Sequence, residues 1–194
     1  MKICFASHNK NKVRELNKLV GNTHELVGLD ELGITEDIPE TGSTFEENSR
    51  IKAKYVFDRF QIPVFADDSG LLVFSLNNEP GVFSARYAGA QKSDENNIQL
   101  VLQKLINVEH RGASFKTVIT FIDKAGNEVQ FSGEIAGNIT HEKRGNNGFG
   151  YDPIFIPEGY DATFAELAPE VKNSISHRAK AVKLLIDHLK NINE

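Results

Sequence analysis

The sequence predicts an α/β protein with a mixed β-sheet flanked by helices. Short apolar runs alternate with helical patterns along the first half of the chain, which is typical of parallel βα units. Residues 115–122 and 128–135 flank the turn at 124–127, and the polar/apolar alternation of the second run indicates an antiparallel hairpin. Parallel and antiparallel strand pairing in one chain imply a mixed sheet. With 194 residues and 40% hydrophobic content, the chain can form one domain, 1–194, or two lobes that share a sheet.

Each element is indicated by its own apolar spacing or end signal. A helix that starts at Thr44 has the capping-box pair Thr44 and Glu47 and must end before Pro63. A strongly amphipathic helix closes the chain, with an apolar face from Ile175 to Leu189. In chain order, we predict a strand at 3–6, a helix at 13–20, a strand at 26–29, the helix at 44–60, strands at 64–66 and 71–76, a helix at 94–106, the hairpin, a strand at 154–156 and the terminal helix.

Composition and charge exclude several classes of partner. The net charge of −5 argues against a general nucleic-acid or anionic-membrane surface, because such binding depends on Lys and Arg. Cys4 is the only cysteine, so no intramolecular disulfide can form and a reducing compartment is expected. The sequence has neither the apolar run of a signal peptide nor one of membrane-spanning length. We therefore expect a cytoplasmic protein with no membrane or nucleic-acid partner.

Two consecutive carboxylates, Asp67 and Asp68, follow the apolar run 64–66 and precede Ser69 and Gly70. Ligands of open α/β sheets collect beyond the carboxyl ends of strands, and Mg²⁺ is usually held by one or two carboxylates plus substrate phosphates. The alternative is a turn in which Asp and Ser bond to their own backbone and Gly takes a positive φ. Successive strand residues face opposite sides, so both carboxylates reach one metal only if the turn begins at once.

The loop at residues 7–12 (SHNKNK) lies where the first strand gives way to the first helix. The free N–H groups at a helix N-terminus suit a phosphate. Lys12 falls in the first turn, where a cation opposes the helix dipole, and a bound anion would remove that conflict. In the alternative interpretation, Ser7 or Asn9 caps the helix and Lys12 is solvated. The loop is not a Walker A motif.

The second helix and the loop before it carry further candidates. Asn48 and Lys52 are four residues apart and therefore lie on one stripe of the helix, from which a lysine can reach a phosphate or extend into water. Glu47 is either a capping residue or a ligand. Glu40 has no evident capping role, and paired in space with Asp68 it would complete a two-carboxylate Mg²⁺ site.

Two aromatic residues, Phe149 and Tyr151, stand in the glycine-rich stretch that begins at Gly145. Glycine lets the backbone approach a ligand closely, and an exposed ring offers a face to a base. Alternatively, one of the two rings folds into the core, and Asp152 only sets the turn before Pro153.

Three basic residues, Lys172, His177 and Arg178, precede or open the last helix, for which Ser176 is a good N-cap. The donor fork of arginine and the ring nitrogens of histidine suit recognition of a carbonyl-bearing base or a phosphate. The alternative is that the helix simply carries a basic surface, since further lysines follow.

Taken together, these segments resemble the inosine/xanthosine triphosphate pyrophosphatase family, whose enzymes remove deaminated purine nucleotides. The resemblance spans nearly the whole chain. One departure is His8, where bacterial members often have glycine. The motifs that carry the resemblance are residues 6–15 (ASHNKNKVRE), 40–42 (ETG) with 45–53 (FEENSRIKA), 66–70 (ADDSG), 80–81 (PG) through 84–89 (SARYAG), 148–153 (GFGYDP) and 174–178 (SISHR).

The resemblance implies a fold, a reaction and a set of site residues. The family fold is an elongated mixed sheet with two lobes around a central cleft, usually in a homodimer. ITP, dITP and XTP would be hydrolysed to the monophosphate and pyrophosphate with Mg²⁺ as cofactor. Asp68 would accept a proton and bind the metal with Glu40. The substrate-binding residues would be Ser7, His8, Asn9, Lys10, Asn11, Lys12 and Lys52 at the triphosphate, Ser69, and Phe149, Gly150, Tyr151, Asp152, Lys172, His177 and Arg178 at the base and sugar.

Two other functions stay open from the sequence. The chain could be a related pyrophosphatase that acts on modified pyrimidine nucleotides, or a nucleotide sensor that does not hydrolyse. The presence of both Asp68 and Glu40 argues against the sensor. Asp67, which the resemblance leaves out of the metal site, would orient a lysine or tie down the turn.

Overall fold

The computed structural model describes residues 2–20 and 25–191, and within them a seven-stranded mixed sheet is flanked by helices, which confirms the predicted α/β class. The elements are β1 (Lys2–Phe5), α1 (Lys10–Val20), β2 (Glu25–Val27), α2 (Phe45–Phe60), β3 (Val64–Val73), β4 (Glu79–Pro80), α3 (Asp94–Lys104), β5 (Gly112–Ile122), β6 (Glu128–Ile139), β7 (Phe155–Pro157), α4 (Pro169–Ile175) and α5 (His177–Asn191). None of the described helices is long and apolar enough to cross a membrane.

The sheet combines both kinds of strand pairing. Its order is β2-β1-β3-β5-β6-β7, with β4 paired to β3. β1 is parallel to β2 and to β3, whereas the pairs β3–β4 and β6–β7 are antiparallel. β5 and β6 are neighbours in the sheet and follow each other through a short turn in which Asp123 N–H donates to the Asn127 carbonyl, as the predicted hairpin requires.

The chain divides into two compact units, each with its own core. The core of unit 2 includes the rings of Phe115, Phe155 and Phe164, with Phe115 and Phe155 4.6 Å apart. The predicted single domain, 1–194, also takes in Met1, residues 21–24 and residues 192–194, which lie outside the described residues, and it stays a prediction. Unit 1 comprises the described residues of Met1–Asp68, Thr117–Gly133 and Arg178–Glu194, and unit 2 comprises Ser69–Lys116 and Glu134–His177.

Two apolar layers cover opposite faces of β1 and β3 in unit 1. On one face, Phe5 stacks on Phe65 with ring centroids 4.9 Å apart, in the cluster that includes α1 and α5. On the other face, Cys4 and Ala66 belong to the cluster that includes α2. The alternation of strand side chains thus assigns each residue of β3 to one layer or the other. Cys4 is fully buried, and burial raises the pKa of its thiol to about 12.

The predicted capping box at the start of α2 is present in a shifted form. The Thr44 hydroxyl accepts a hydrogen bond from the Glu47 N–H (3.1 Å), and the Glu47 carboxylate accepts one from the Ser43 N–H (2.6 Å). These bonds satisfy donors at the helix N-terminus. The helix ends at Phe60, and its C-cap, Gln61, takes a left-handed conformation (φ 51°) two residues before Pro63. Asn48 and Lys52 lie at buried positions of α2.

The turn interpretation of residues 67–70 is wrong, because β3 runs without interruption from Val64 to Val73. The predicted strand at 64–66 and the first half of the one at 71–76 are therefore parts of one strand, which ends at Val73, and the strand prediction for residues 74–76 is wrong because they form a 3-10 turn. Pairing with β4 on one side, and a hydrogen bond from Leu71 N–H to the Ser84 hydroxyl (2.9 Å), keep the backbone extended past Gly70. Tertiary pairing here overrides the turn preference of the sequence.

The predicted terminal helix is two helices. Ser176 takes an extended conformation (ψ 157°) between α4 and α5, so Ile175 belongs to α4 and His177 opens α5. This break is consistent with the predicted role of Ser176 as a helix-start residue, since an N-cap has non-helical torsions.

Candidate active site

Asp67 and Asp68 lie on β3 just beyond its ladder with β1. The last register pair of that ladder is Phe5–Phe65, and the Ala6 N–H then donates to the Phe65 carbonyl (2.9 Å). From there β1 gives way to the loop before α1, while β3 continues. The two carboxylates leave the strand on opposite faces and have different partners.

Asp68 lies on the α2 face in a cluster with Glu40, Asn48 and Lys52. The Asn48 amide donates to Asp68 Oδ2 (3.0 Å). Lys52 Nζ is 2.5 Å from Glu40 Oε1 and 4.0 Å from Asp68 Oδ1. Only 5% of Asp68 and 8% of Lys52 are exposed. The structure thus brings together Glu40, Lys52 and Asp68, three of the predicted site residues.

The loop that carries Glu40 is fixed to α2 through Gly42. The Gly42 N–H donates to the Asn48 side-chain oxygen (2.8 Å). A Cβ at Gly42 would lie 2.6 Å from Glu47 Cβ, so a larger residue would push the loop away from the helix. Asn48 therefore accepts a hydrogen bond from the loop that carries Glu40 and donates one to Asp68, so it links the two parts of the cluster.

This cluster contains two carboxylates, Glu40 and Asp68, and one ammonium group, that of Lys52. Burial raises the pKa of Asp68 to about 6, and the neighbouring Glu40 carboxylate adds to the rise, while Lys52 and Lys12 oppose it. Burial also disfavours the charged form of Lys52, but the carboxylates of Asp68 and Glu40 outweigh it and hold the Lys52 pKa above its ordinary value. Asp68 is therefore a more basic carboxylate than an ordinary aspartate.

Asp67 lies on the opposite face in a second cluster with Lys12, Glu15 and Arg178. Lys12 Nζ is 2.9 Å from Asp67 Oδ2, and Arg178 Nε is 3.7 Å from the same oxygen. Arg178 Nη1 also donates to the Glu15 carboxylate. Burial alone would raise the pKa of Asp67, but the Lys12 and Arg178 charges outweigh it and hold that pKa well below its usual range. Burial lowers the pKa of Lys12, partly against the attraction of Asp67.

The loop at residues 7–12 is held by its own side chains. The Asn9 side-chain oxygen accepts from the N–H groups of Asn11 (3.0 Å) and Lys12 (3.2 Å), so Asn9 caps α1. The Ser7 hydroxyl accepts from the Asn9 N–H (3.2 Å), and Lys10 is exposed. The capping interpretation is confirmed for Asn9, but its expectation of a solvated Lys12 is wrong, because the Lys12 ammonium pairs with Asp67. Phosphate binding by this loop stays a prediction.

His8 ties this loop to the segment that follows β2. Its Nε2 is 2.9 Å from the Ile34 carbonyl oxygen and 3.8 Å from Asp30 Oδ1, and its Nδ1 is 3.8 Å from Asp37 Oδ1. The imidazole thus makes contacts that a glycine at this position would lack.

In unit 2, a third group forms around Asp152. Asp152 Oδ2 accepts hydrogen bonds from Lys172 Nζ (2.7 Å) and from the Phe149 N–H (3.0 Å). Lys172 Nζ also lies 4.9 Å from the centroid of the half-buried Phe149 ring. A Cβ at Gly148, where φ is +76°, would collide with the Asp152 carboxylate. The glycine therefore lets the loop close over Asp152.

The remaining predicted residues of unit 2 have different surroundings. Tyr151 is 5% exposed, lies in the core of the unit and donates its hydroxyl proton to the Ser84 carbonyl (2.7 Å), so the core alternative applies to this ring. Burial raises the pKa of Tyr151. His177 is buried and stacks on Phe115 with centroids 4.8 Å apart, and Ser69 is half-buried on β3.

Arg178 belongs to unit 1 and contacts Glu15 and Asp67, whereas Phe149, Asp152 and Lys172 are grouped within unit 2. Sequence reasoning gave no role to Glu15 and left Asn48 out of the site. The signal for Asn48 was its position four residues before Lys52. In the parts of the chain that the structure describes, no three His, Cys, Asp or Glu side chains are grouped so as to hold a metal ion.

Comparisons with a family model, with curated proteins and with solved structures all find Ham1 proteins or proteins named dITP/XTP pyrophosphatase. A sequence model of the Ham1 family matches residues 3–188. The chain is 50% identical to a Flavobacterium johnsoniae protein named dITP/XTP pyrophosphatase, over 97% of this chain and 98% of that protein. It is 49% identical to a Porphyromonas gingivalis protein of the same name, over 97% of each chain. The solved structure of the Staphylococcus aureus Ham1 protein is 43% identical, with a TM-score of 0.91 over 98% of this chain and 99% of that one.

Proposed function

The chain belongs to the Ham1 family, and from this premise we propose that it hydrolyses deaminated purine nucleoside triphosphates, namely ITP, dITP and XTP, to the monophosphate and pyrophosphate. The names of the curated relatives support the reaction and the substrate class. The observation that carries the proposal is the cluster of Glu40 with the buried residues Lys52 and Asp68, because it supplies a base and a cation in one place. The reaction would protect the nucleotide pool from deaminated bases.

In the proposed reaction, a water oxygen attacks the α-phosphorus, and the bond from that phosphorus to the oxygen bridging the β-phosphate breaks. Asp68 accepts the proton of the water. Its pKa of about 6, raised by burial, makes it a stronger base than an ordinary aspartate and still leaves it ionised at neutral pH. Lys12 and Lys52 stabilise the negative charge of the departing pyrophosphate.

Glu40 and Asp68 have the donor chemistry that a magnesium ion requires. Glu40 Oε1 and Asp68 Oδ1 already flank one cation, the Lys52 ammonium, at 2.5 and 4.0 Å. Two carboxylates completed by waters and substrate phosphates are a usual set of ligands for Mg²⁺. We assign Glu40 and Asp68 to this ion, which when bound would neutralise charge on the phosphate oxygens.

We assign recognition of the base to residues of unit 2. The 6-oxo group of hypoxanthine and xanthine accepts a hydrogen bond where the 6-amino group of adenine donates one. Donors fixed at that edge therefore leave adenine mismatched, and such sites can discriminate by about 10⁴-fold. Lys172 and His177 supply donors, and Phe149 supplies a ring face for stacking. The role of Arg178 at the base, which the family resemblance implies, stays a prediction. We also assign to the base-binding site Gly150 and the backbone of Tyr151 and Asp152.

Assembly and location are further parts of the proposal. The family resemblance supports a homodimer, which light scattering after size exclusion would test. The single cysteine supports a reducing compartment such as the cytoplasm.

The decisive experiment incubates the protein and Mg²⁺ with ITP, dITP, XTP, GTP, ATP and dTTP and identifies the products. We expect monophosphate and pyrophosphate from the first three nucleotides. Release of orthophosphate instead of pyrophosphate would exclude the proposed bond cleavage. Equal rates with ATP would exclude the base selectivity, and a preference for pyrimidine nucleotides would favour the related pyrophosphatase. Omission of Mg²⁺, with EDTA present, tests the metal requirement.

A further inference from the structure

The loop that carries Phe149 is fastened to the first turn of α3. Asp94 Oδ2 accepts a hydrogen bond from the Gly150 N–H at 2.7 Å. The next residue, Glu95, makes an exposed ion pair with Lys143, which lies outside the loop. The N-terminus of α3 is capped by a different residue, Ser93. Asp94 is therefore available for the loop without giving up a capping bond.

The same turn of α3 also holds the segment that follows β4. The buried side chain of Asn97 accepts from the Ala88 N–H (2.7 Å) and donates to the carbonyls of Ala85 (3.1 Å) and Ser84 (3.3 Å). The Ser84 carbonyl in turn accepts the Tyr151 hydroxyl proton. The first turn of α3 is thus joined to the loop directly at the Gly150 N–H and, through the Ser84 carbonyl, at the Tyr151 hydroxyl.

Two carboxylates hold two successive N–H groups of the loop. The Phe149 N–H donates to Asp152, and the Gly150 N–H donates to Asp94. Gly150 has φ +60°, a conformation that a flexible glycine leaves readily unless other contacts hold it. Asp152 is itself committed to Lys172, whereas the contact with Asp94 joins the loop to a regular helix. Loss of the Asp94 bond would release the peptide that follows the Phe149 ring.

We propose that Asp94 is a positioning residue for nucleotide binding, which holds Phe149 and Gly150 in the conformation that contacts the base. This inference rests on the proposed function, because it takes Phe149 as a base contact. Asp94 acts through the loop and does not touch the substrate. A protein whose loop is only partly in the binding conformation binds more weakly in proportion to that fraction.

The test compares Asp94→Ala with Asp94→Asn and with Glu95→Ala as the matched control. Asp94→Ala removes the acceptor, so we expect KM for ITP to rise about fivefold with kcat little changed, as for loss of one hydrogen bond. Asn keeps an oxygen acceptor but removes the charge, so Asp94→Asn should restore KM to near the wild-type value. Glu95→Ala removes an exposed ion pair from the same helical turn and should leave KM unchanged. In calorimetric titrations, Asp94→Ala should weaken binding of IMP and leave binding of pyrophosphate unaltered.

Each contrary outcome overturns the inference in a recognisable way. If Asp94→Ala and Glu95→Ala have the same KM, the loop does not depend on Asp94. If Asp94→Asn is as impaired as Asp94→Ala, the charge at the helix N-terminus matters and the hydrogen bond does not. Failure of the proposed function would appear differently, as wild-type inactivity toward the whole nucleotide panel. IMP titration would still decide the inference in that case, since equal affinities, or no binding by either protein, overturn it.

Discussion

Asp67 and Asp68 are neighbours on one strand, yet their environments are opposite. Asp67 faces α1 and α5, where two cations, Lys12 and Arg178, contact the same oxygen, and its pKa is held below the usual range. Asp68 faces α2, where it shares the Lys52 ammonium with Glu40, and burial raises its pKa to about 6. The charge of Asp67 is thus compensated by two cations, whereas Asp68 and Glu40 share one.

The difference teaches which carboxylate is structural and which is reactive. A buried carboxylate that is paired with its own cations stabilises the folded chain through these ion pairs. The cations lower its pKa, so it does not accept a proton at neutral pH. A buried carboxylate that shares a cation costs stability and keeps basicity, which are the properties expected of a catalytic base. Four predictions test this contrast, from the largest expected effect to the smallest.

Asp68→Asn should reduce kcat for ITP about a thousandfold, because the amide cannot accept the water proton and general-base catalysis contributes on the order of 10² to 10⁴. The rate of pyrophosphate release at saturating ITP and Mg²⁺ measures kcat for the variant and the wild type. Circular dichroism should show an unchanged fold. Near-normal turnover would show that Asp68 is not the base.

Asp67→Asn should destabilise the protein by about 3 kcal/mol, because it leaves the cations of Lys12 and Arg178 buried without their common partner. Urea unfolding at neutral pH, monitored by circular dichroism, gives the free energy of unfolding. Asp68→Asn is the matched control and, in EDTA, should be as stable as the wild type or more stable. Equal destabilisation by the two substitutions would remove the contrast between the two sites.

The pH dependence of stability should separate the same two residues. The folded pKa of Asp68, about 6, lies above its ordinary value of 3.8, so protonation favours the folded state. In EDTA, this contribution is fully present below about pH 4 and is lost as the pH rises through 6. The lowered pKa of Asp67 acts in the opposite sense, since its contribution is present above about pH 4 and is lost at lower pH.

Unfolding free energies of the wild type and of both Asn variants between pH 3 and 8 check this expectation. The difference between wild type and Asp68→Asn should change mainly between pH 4 and 7. A flat difference across that range would contradict the assigned pKa of Asp68.

Asn48→Ala should have the smallest effect, a loss of about 2 kcal/mol of stability, because it removes two hydrogen bonds of about 1 kcal/mol net each. The Asn48 amide lowers the pKa of Asp68, so its removal should shift the rise of kcat/KM toward higher pH. A pH–rate profile from pH 5 to 8 measures the shift. Ser49→Ala, one position along the same helix, is the control and should leave the profile in place.

Local sequence signals predicted most of the elements, and Glu40, Lys52 and Asp68, three of the candidate site residues, are brought together by the fold. The cap of α2, the helix start at Asn9 and the alternation along β3 each depend on residues close in the chain. The partner of Arg178 could not be predicted in this way, because Glu15 is 163 positions away and only the tertiary fold brings them together. The continuation of β3 through Gly70 could not be predicted for a related reason, since strand pairing outweighs a local turn preference.

Cys4 has a practical consequence for the study of this protein. Its thiol is fully buried, and with a pKa raised to about 12 almost none of it is thiolate, the form that reacts with maleimides and oxidants. A cysteine introduced at an exposed position such as Phe83, which is 57% exposed, would then be the one fast-reacting thiol of the chain. Fluorophores or spin labels can therefore be attached at a chosen point in the native protein without first replacing the natural cysteine.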